Sequence, residues 1–231
     1  GNGGNPRLKP VKATHLDAAL EWYFARAGSL TGTVFTHKFD GYVQPSFGYE
    51  TYSGQQYRVS RPGNTGSGHL NGLELSYQQF YDQLPGILNG LGLQANMTFE
   101  DGTTANADTG IERTITGVSK TSYNLIALYE KGSWSGRLAY NWRSKFIDTY
   151  AFATNTNPVT GAVTNFDLWA KATAQMDGSV SYQINKTFTL TFEAINILDT
   201  KFKDYFNDPG LYPRDTRRYD RTFELGFRLG L

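Results

Sequence analysis

Apolar and polar residues alternate along most of this chain, in segments of about 10 to 14 residues that exceed most strands of soluble domains. Over 187–194, Phe188, Leu190, Phe192 and Ala194 share one face, and Thr187, Thr189, Thr191 and Glu193 the other. Segment 134–143 sets Trp134, Gly136, Leu138, Tyr140 and Trp142 against Ser135, Arg137, Ala139, Asn141 and Arg143, and 91–100 repeats the pattern. At the end of the sequence Phe223, Leu225, Phe227, Leu229 and Leu231 keep the phase. With 13–24, 30–43, 69–80, 119–130 and 171–184 the pattern predicts about nine strands. Two of them leave their facing open. Segment 30–43 sets Val34 against Phe35 and Phe39, and 119–130 interleaves Ile126 and Leu128 with Leu125, Ala127 and Tyr129.

The connections alternate between short (25–29, 82–90, 131–133, 185–186) and long (44–67, 101–118, 148–170, 200–216). Antiparallel strands with tight turns at one end and long loops at the other are the pattern of outer-membrane barrels. An odd strand count leaves two open edges, which hydrocarbon does not tolerate, so the reading expects further strands before Gly1. Aromatic residues fit the same frame. Trp22, Phe24 and Trp134 lie beside short turns and Trp142 and Trp169 near long loops, as interfacial anchors would.

Composition narrows the field further. Among 231 residues there are 15 Tyr, 15 Phe and 25 Gly, which favours strands and turns. A formal net charge of +1, with 22 basic and 21 acidic residues, supplies no field to recruit nucleic acid. The absence of cysteine excludes disulfides, thiolate metal sites and cysteine nucleophiles. A mean hydropathy of -0.47 excludes a spanning helix but not a barrel, where only alternate residues meet lipid.

Several blocks carry a resemblance: Gly4-Asn5-Pro6-Arg7-Leu8-Lys9-Pro10 followed by Leu20-Glu21-Trp22-Tyr23-Phe24, then Gly72-Leu73-Glu74-Leu75-Ser76-Tyr77, Leu91-Gly92-Leu93-Gln94-Ala95-Asn96, Asp177-Gly178-Ser179-Val180-Ser181-Tyr182 and Glu193-Ala194-Ile195-Asn196-Ile197-Leu198-Asp199. In order and spacing the chain resembles the TonB-dependent receptor family, in the style of a proteobacterial subgroup often linked to carbohydrate uptake. The resemblance implies an all-β fold, with 1–231 as the C-terminal part of a roughly 22-stranded barrel whose plug lies elsewhere. It also implies the outer membrane of a Gram-negative bacterium, and TonB-dependent uptake of a scarce solute such as a carbohydrate or siderophore. The implied partners are outer-membrane lipid, a small-molecule ligand, the inner-membrane TonB complex through a plug absent from this chain, and the barrel assembly machinery through the last strand. Leu231 stands where the family usually ends in an aromatic residue.

Candidate chemistry is sparse, and no cofactor or enzyme activity is expected. His15, His37 and His69 are not spaced as metal ligands along the chain, and His69 near Ser67 is weak ground for a hydrolytic dyad. The runs 106–110 and 207–210 have oxygen ligands that could hold Ca²⁺, although ordinary turn chemistry is by far the commoner reason for such runs. Candidate solute contacts are Tyr49, Tyr52 and Tyr57 in the first long loop, Tyr150 and Phe152 in the third, and the inward Arg137 and Arg143. The rival readings are a passive porin-like barrel, an outer-membrane hydrolase and a soluble all-β module.

Overall fold

The computed structural model describes residues 1–106 and 110–230, with backbone alone for Thr65 and Asn106. Most of run 106–110 and the terminal Leu231 therefore lie outside the described residues. The wall is one antiparallel sheet in the order β1-β2-β3-β4-β6-β7-β10-β11-β14. Its strands are β1 (Lys12–Ala25), β2 (Gly28–Tyr52), β3 (Gln55–Phe80), β4 (Leu91–Asn106), β6 (Thr121–Lys131), β7 (Trp134–Arg143), β10 (Thr173–Gln183), β11 (Phe188–Ile195) and β14 (Thr222–Leu229). These are the nine strands the alternation predicts. A short β5 (Glu112–Thr114) joins β4 at the long-loop end, and a 3-10 turn, Gly86–Leu88, fills the connection between β3 and β4.

Register aligns the two faces across the wall. Trp134, Leu138 and Trp142 on β7 stand opposite Tyr182, Gly178 and Ala174 on β10, and Phe192 faces Leu225 on β14. All lie on the apolar face. That face is uncovered: Leu20 is 77% exposed and Leu225 75%. A contiguous apolar surface on this scale needs a non-aqueous neighbour, and for a sheet in which alternate residues are polar that neighbour is lipid. Among the described residues the seven buried apolar ones include only Ala139 and Ala194 from the membrane-spanning part of the wall, so this sheet is not half of a protein-filled sandwich. Among the described residues no helix is long and apolar enough to cross a membrane, which has no bearing on strands.

The open facings are settled by pairing. Val34 stands opposite Leu73 and Ala18 on the apolar side, which turns Phe35 and Phe39 to the polar side. Tyr129, Ala127 and Leu125 align with Leu91, Leu93 and Ala95, so Ile126 and Leu128 face inward. Inward aromatics have a local reason. A Cβ at Gly72 would strike the Phe35 ring and approach the Phe99 carbonyl to 2.8 Å, so the missing side chain is the seat for that ring.

The loops are more regular than their composition implies. The first long loop is a continuation of β2 and β3, whose pairing runs on to Tyr52↔Gln55, with bulges near Gly41 at φ +74°. Its composition of Gly, Pro, Ser and Asn masks the pairing. The third and fourth loops carry β8 (Phe146–Thr156), β9 (Val163–Ala170), β12 (Lys201–Phe206) and β13 (Pro213–Arg218), which form a second sheet in the order β13-β12-β9-β8. No reading of local periodicity joins two loops separated by β10 and β11. They meet because β7, β10, β11 and β14 are neighbours in the wall, which brings both loops to one side of the same end.

Candidate functional site

The site is built where the polar face meets the long loops. Its floor is a cavity of about 380 Å³ at the upper ends of β4, β6, β7 and β10, lined by Glu100, Ser122, Asn124, Asn141, Arg143 and Gln175 among others. Alternation places all six on the polar side. Arg143 is committed locally: its Nε donates to Ser119 Oγ at 2.9 Å, Nη2 to the Gly117 carbonyl at 3.0 Å, and the guanidinium lies 4.0 Å from the Phe146 ring centroid. It fastens the loop before β6 to the wall as well as lining the cavity. Arg137 stands lower on β7, opposite Leu128 and Ser179, on the same polar side.

The loop sheet forms one wall above this floor. Backbone pairing of β9 with β12 sets Tyr205 opposite Trp169; Ile147 and Tyr205 are buried on that face of the sheet, and Leu168 and Ala170 on the other. Side-chain bonds lock the joint. Asn207 Oδ1 accepts from the Asp167 amide at 2.8 Å, and Asp167 Oδ1 accepts from the Ala151 amide at 2.8 Å. Asp204 is buried, with Arg214 Nη1 donating to its Oδ2 at 2.7 Å and the Arg217 guanidinium charge 3.8 Å from the same oxygen. Burial, then the nearby Asp208 charge, pushes the Tyr205 phenol up from its ordinary value, so it stays neutral.

Phe152 belongs to this sheet. Its ring lies 5.8 Å from Phe206 with Arg214 4.7 Å above it. Tyr150 donates to the Thr114 carbonyl at 3.1 Å and lies under Arg113 at 4.7 Å, tying β8 to β5. Trp169 is on β9, with Lys145 Nζ 5.3 Å from its ring, away from the girdle strands. In 207–210, Asp208 Oδ1 accepts from the amides of Gly210 and Leu211 at 2.7 and 3.1 Å, which is turn chemistry.

The extended hairpin of β2 and β3 rises at the same long-loop end of the sheet. Arg61 grips Glu50 through two bonds, Nε to Oε1 at 2.7 Å and Nη2 to Oε2 at 2.8 Å, and Tyr52 donates its hydroxyl to the same carboxylate. The Arg61 bond, followed by that from Tyr52, lowers the Glu50 carboxyl to about 2. Tyr52 and Tyr57 pair at 6.2 Å on this face, while Tyr49 is on the opposite face and 71% exposed. The two tyrosines thus form one aromatic patch and Tyr49 is apart from it.

A buried hub anchors the loop sheet to the wall. Asn196, at φ +55°, receives the Thr200 amide on Oδ1 at 2.8 Å and donates Nδ2 to the Tyr219 carbonyl at 2.5 Å. Its own amide donates to Asp177 Oδ1 on β10 at 2.8 Å. The block 193–199 that carries part of the resemblance therefore holds both ends of the β11–β14 loop together.

At the short-turn end Trp22 lies 5.3 Å from Phe24, Phe24 stacks on Tyr77 at 6.0 Å, and Trp134 packs on Tyr182 at 4.6 Å. Toward the other end Tyr123 stacks on Trp142 at 5.1 Å. Two ring bands on an apolar face, with a polar face capped by folded loops, define the wall of a transmembrane β-barrel.

Comparison with known proteins agrees with that class. Residues 1–197 match the family described as TonB dependent receptor-like, beta-barrel, and the chain belongs to that family. Its members are outer-membrane proteins of Gram-negative bacteria. Similar solved structures include a ferric enterobactin receptor variant, PfeA from Pseudomonas aeruginosa, in complex with enterobactin, at 15% identity and TM-score 0.67 over 99% of this chain and 32% of that one. The siderophore receptor PirA from Acinetobacter baumannii gives 13% identity and TM-score 0.65 over 99% and 33%. The FrpB iron transporter from Neisseria meningitidis gives 12% and 0.63 over 99% and 32%. The chain thus spans about a third of the length of these structures, which share its fold. No curated protein sequence matches it.

Proposed function

We propose that this chain is the C-terminal part of a larger outer-membrane barrel, in a protein that captures a scarce solute outside the cell and imports it with energy delivered through TonB. The observation that carries the reading is the asymmetry of the two ends: short turns on one, and on the other a polar cavity, a folded loop sheet tied to its rim through Gly117 and Ile147, and a clasped aromatic hairpin. A passive pore needs no such assembly. The outer edges of β1 and β14 have no strand partner among the described residues, and an edge in hydrocarbon is costly, which supports further strands completing the barrel.

In this reading Tyr52, Tyr57 and Phe152 offer flat apolar faces, and Asn124, Asn141, Gln175 and Arg143 supply directional hydrogen bonds. That mixture suits a carbohydrate or a siderophore. The plug and its TonB contact come from another part of the protein, the lipid contact from the apolar face, and recognition by the assembly machinery from β14. The test is uptake of labelled carbohydrates and siderophores by cells carrying the full-length protein, with and without TonB. Solute-specific uptake lost without TonB, and weakened by Tyr52→Ala with Tyr57→Ala, is the expected result. Uptake indifferent to TonB would mean a passive barrel instead.

A further inference from the structure

The sequence keeps the three histidines apart, but the β1–β2 hairpin brings two of them together. Counting back from the tight turn at Ala25↔Gly28, with its one-residue slip near Tyr23, register sets His15 directly opposite His37. Their ring centroids are 4.1 Å apart with the planes inclined by 40°. Both lie on the polar face, which they share with Asp17 and Phe35 by alternation. They stand three residues below Lys12, near the long-loop end, with His15 exposed and His37 28% exposed.

Asp17 fixes the chemistry of the pair. His37 Nε2 donates to Asp17 Oδ1 at 3.1 Å, so the proton of the neutral ring is on Nε2 and the Nδ1 lone pair is free to act as a donor. A carboxylate that takes the far N–H of an imidazole is the usual support for a metal-bound histidine, since it sets the tautomer and raises basicity. Phe35, seated over Gly72, packs beside His37 with ring centroids 4.9 Å apart. Cross-strand partners have Cβ atoms about 4.5–5.5 Å apart, which lets two imidazoles converge on one ion through χ rotation alone.

We propose that His15 and His37 form a two-imidazole site for a borderline divalent transition-metal ion, Cu²⁺ or Zn²⁺ being the best fits, with Asp17 as the positioning residue. The donor set excludes the hard ions Ca²⁺ and Mg²⁺, which want oxygen ligands. Among the described residues no three or more His, Asp or Glu cluster in metal-holding geometry. The site is therefore an open one, with water or a ligand of the incoming solute filling the remaining positions. Such a site suits reversible capture on the barrel wall and does not depend on how the solute is later imported.

The experiment is a Cu²⁺ titration of the full-length, tag-free protein in detergent, read by electron paramagnetic resonance, with Zn²⁺ as competitor. The wild type is expected to show a site with two imidazole nitrogens that Zn²⁺ displaces. His15→Ala or His37→Ala removes one nitrogen and weakens binding, and Asp17→Asn keeps both nitrogens while weakening it by roughly 10–100-fold. His69→Ala changes nothing. Each variant is checked for folding by its heat-dependent gel mobility. An unchanged spectrum and affinity in folded His15→Ala protein overturns the proposal and leaves the pair as a ring stack. Loss of affinity in His69→Ala equal to that in His15→Ala overturns it too.

Discussion

Replacing Asn196 should release the β11–β14 loop without opening the wall. The side chain is buried at 4% exposure and satisfies the Thr200 amide and the Tyr219 carbonyl from one position. Asn196→Ala removes both bonds, each costing about 1–2 kcal/mol when a buried partner is left unmade. It also forces alanine to hold φ +55°, which costs about 1–2 kcal/mol for a residue with a Cβ. The sum is about 3–6 kcal/mol. Asn196→Gly loses the same bonds but not the backbone term, so it should be milder by about 1 kcal/mol. The loss is local, because eight register pairs between β11 and β14 remain intact. Hydrogen exchange on the protein in detergent reads this directly. Amides of 199–219 should lose protection by about 10²–10⁴-fold in Asn196→Ala, at about 1.4 kcal/mol per tenfold, while 188–195 keeps its protection. Unchanged exchange in 199–219, or equal loss in both strands of the wall, would refute the hub.

The hairpin clasp gives a pH prediction. Glu50 is held below its unfolded value by Arg61 and Tyr52, so its contribution is fully present above about pH 4.5 and lost as pH falls through about 2. Protection of the tip amides 49–58 should fall in that window in the wild type and show no such step in Glu50→Gln. Gly72→Ala should collide with Phe35 and the Phe99 carbonyl and destabilise the wall by about 1–3 kcal/mol, read as a lower unfolding temperature of the barrel on gels. Tyr205→Ala should leave a cavity costing about 3–5 kcal/mol in the loop sheet. Limited proteolysis should then cut 146–170 and 201–218 together, since β8, β9 and β12 are paired and Ile147 and Tyr205 are buried on one face of that sheet, while the wall resists.

The wall was legible in the sequence because lipid on one side and water on the other impose a period of two, and that period survives cleanly in β4, β7, β10, β11 and β14. The ambiguous segments were ambiguous for a reason. Phe35 and Phe39 face inward only because Gly72 and Gly68 across the sheet leave room for their rings, a pairing between distant residues. The loop sheet was hidden because its strands are short, rich in Thr, Asn and Arg, and stabilised by partners some 40 residues away such as Asn207 with Asp167. Of the proposed contact residues, Tyr52 and Tyr57 converge on one patch. Tyr150, Phe152 and Arg143 are engaged in holding loops, which composition alone does not reveal. The His15–His37 pair was within reach of counting from the turn, had the hairpin been indexed by register.

The central claim is that one face of this wall meets lipid and the other water. It is tested most directly by single cysteines at Leu190, Thr191, Phe192 and Glu193, spin-labelled in the full-length protein in bilayers; these 231 residues hold no cysteine, and any elsewhere in the protein is replaced first. The account predicts collision with dissolved oxygen at 190 and 192, and collision with a water-soluble relaxing agent at 191 and 193. Water access at all four positions, with no alternation, would contradict it.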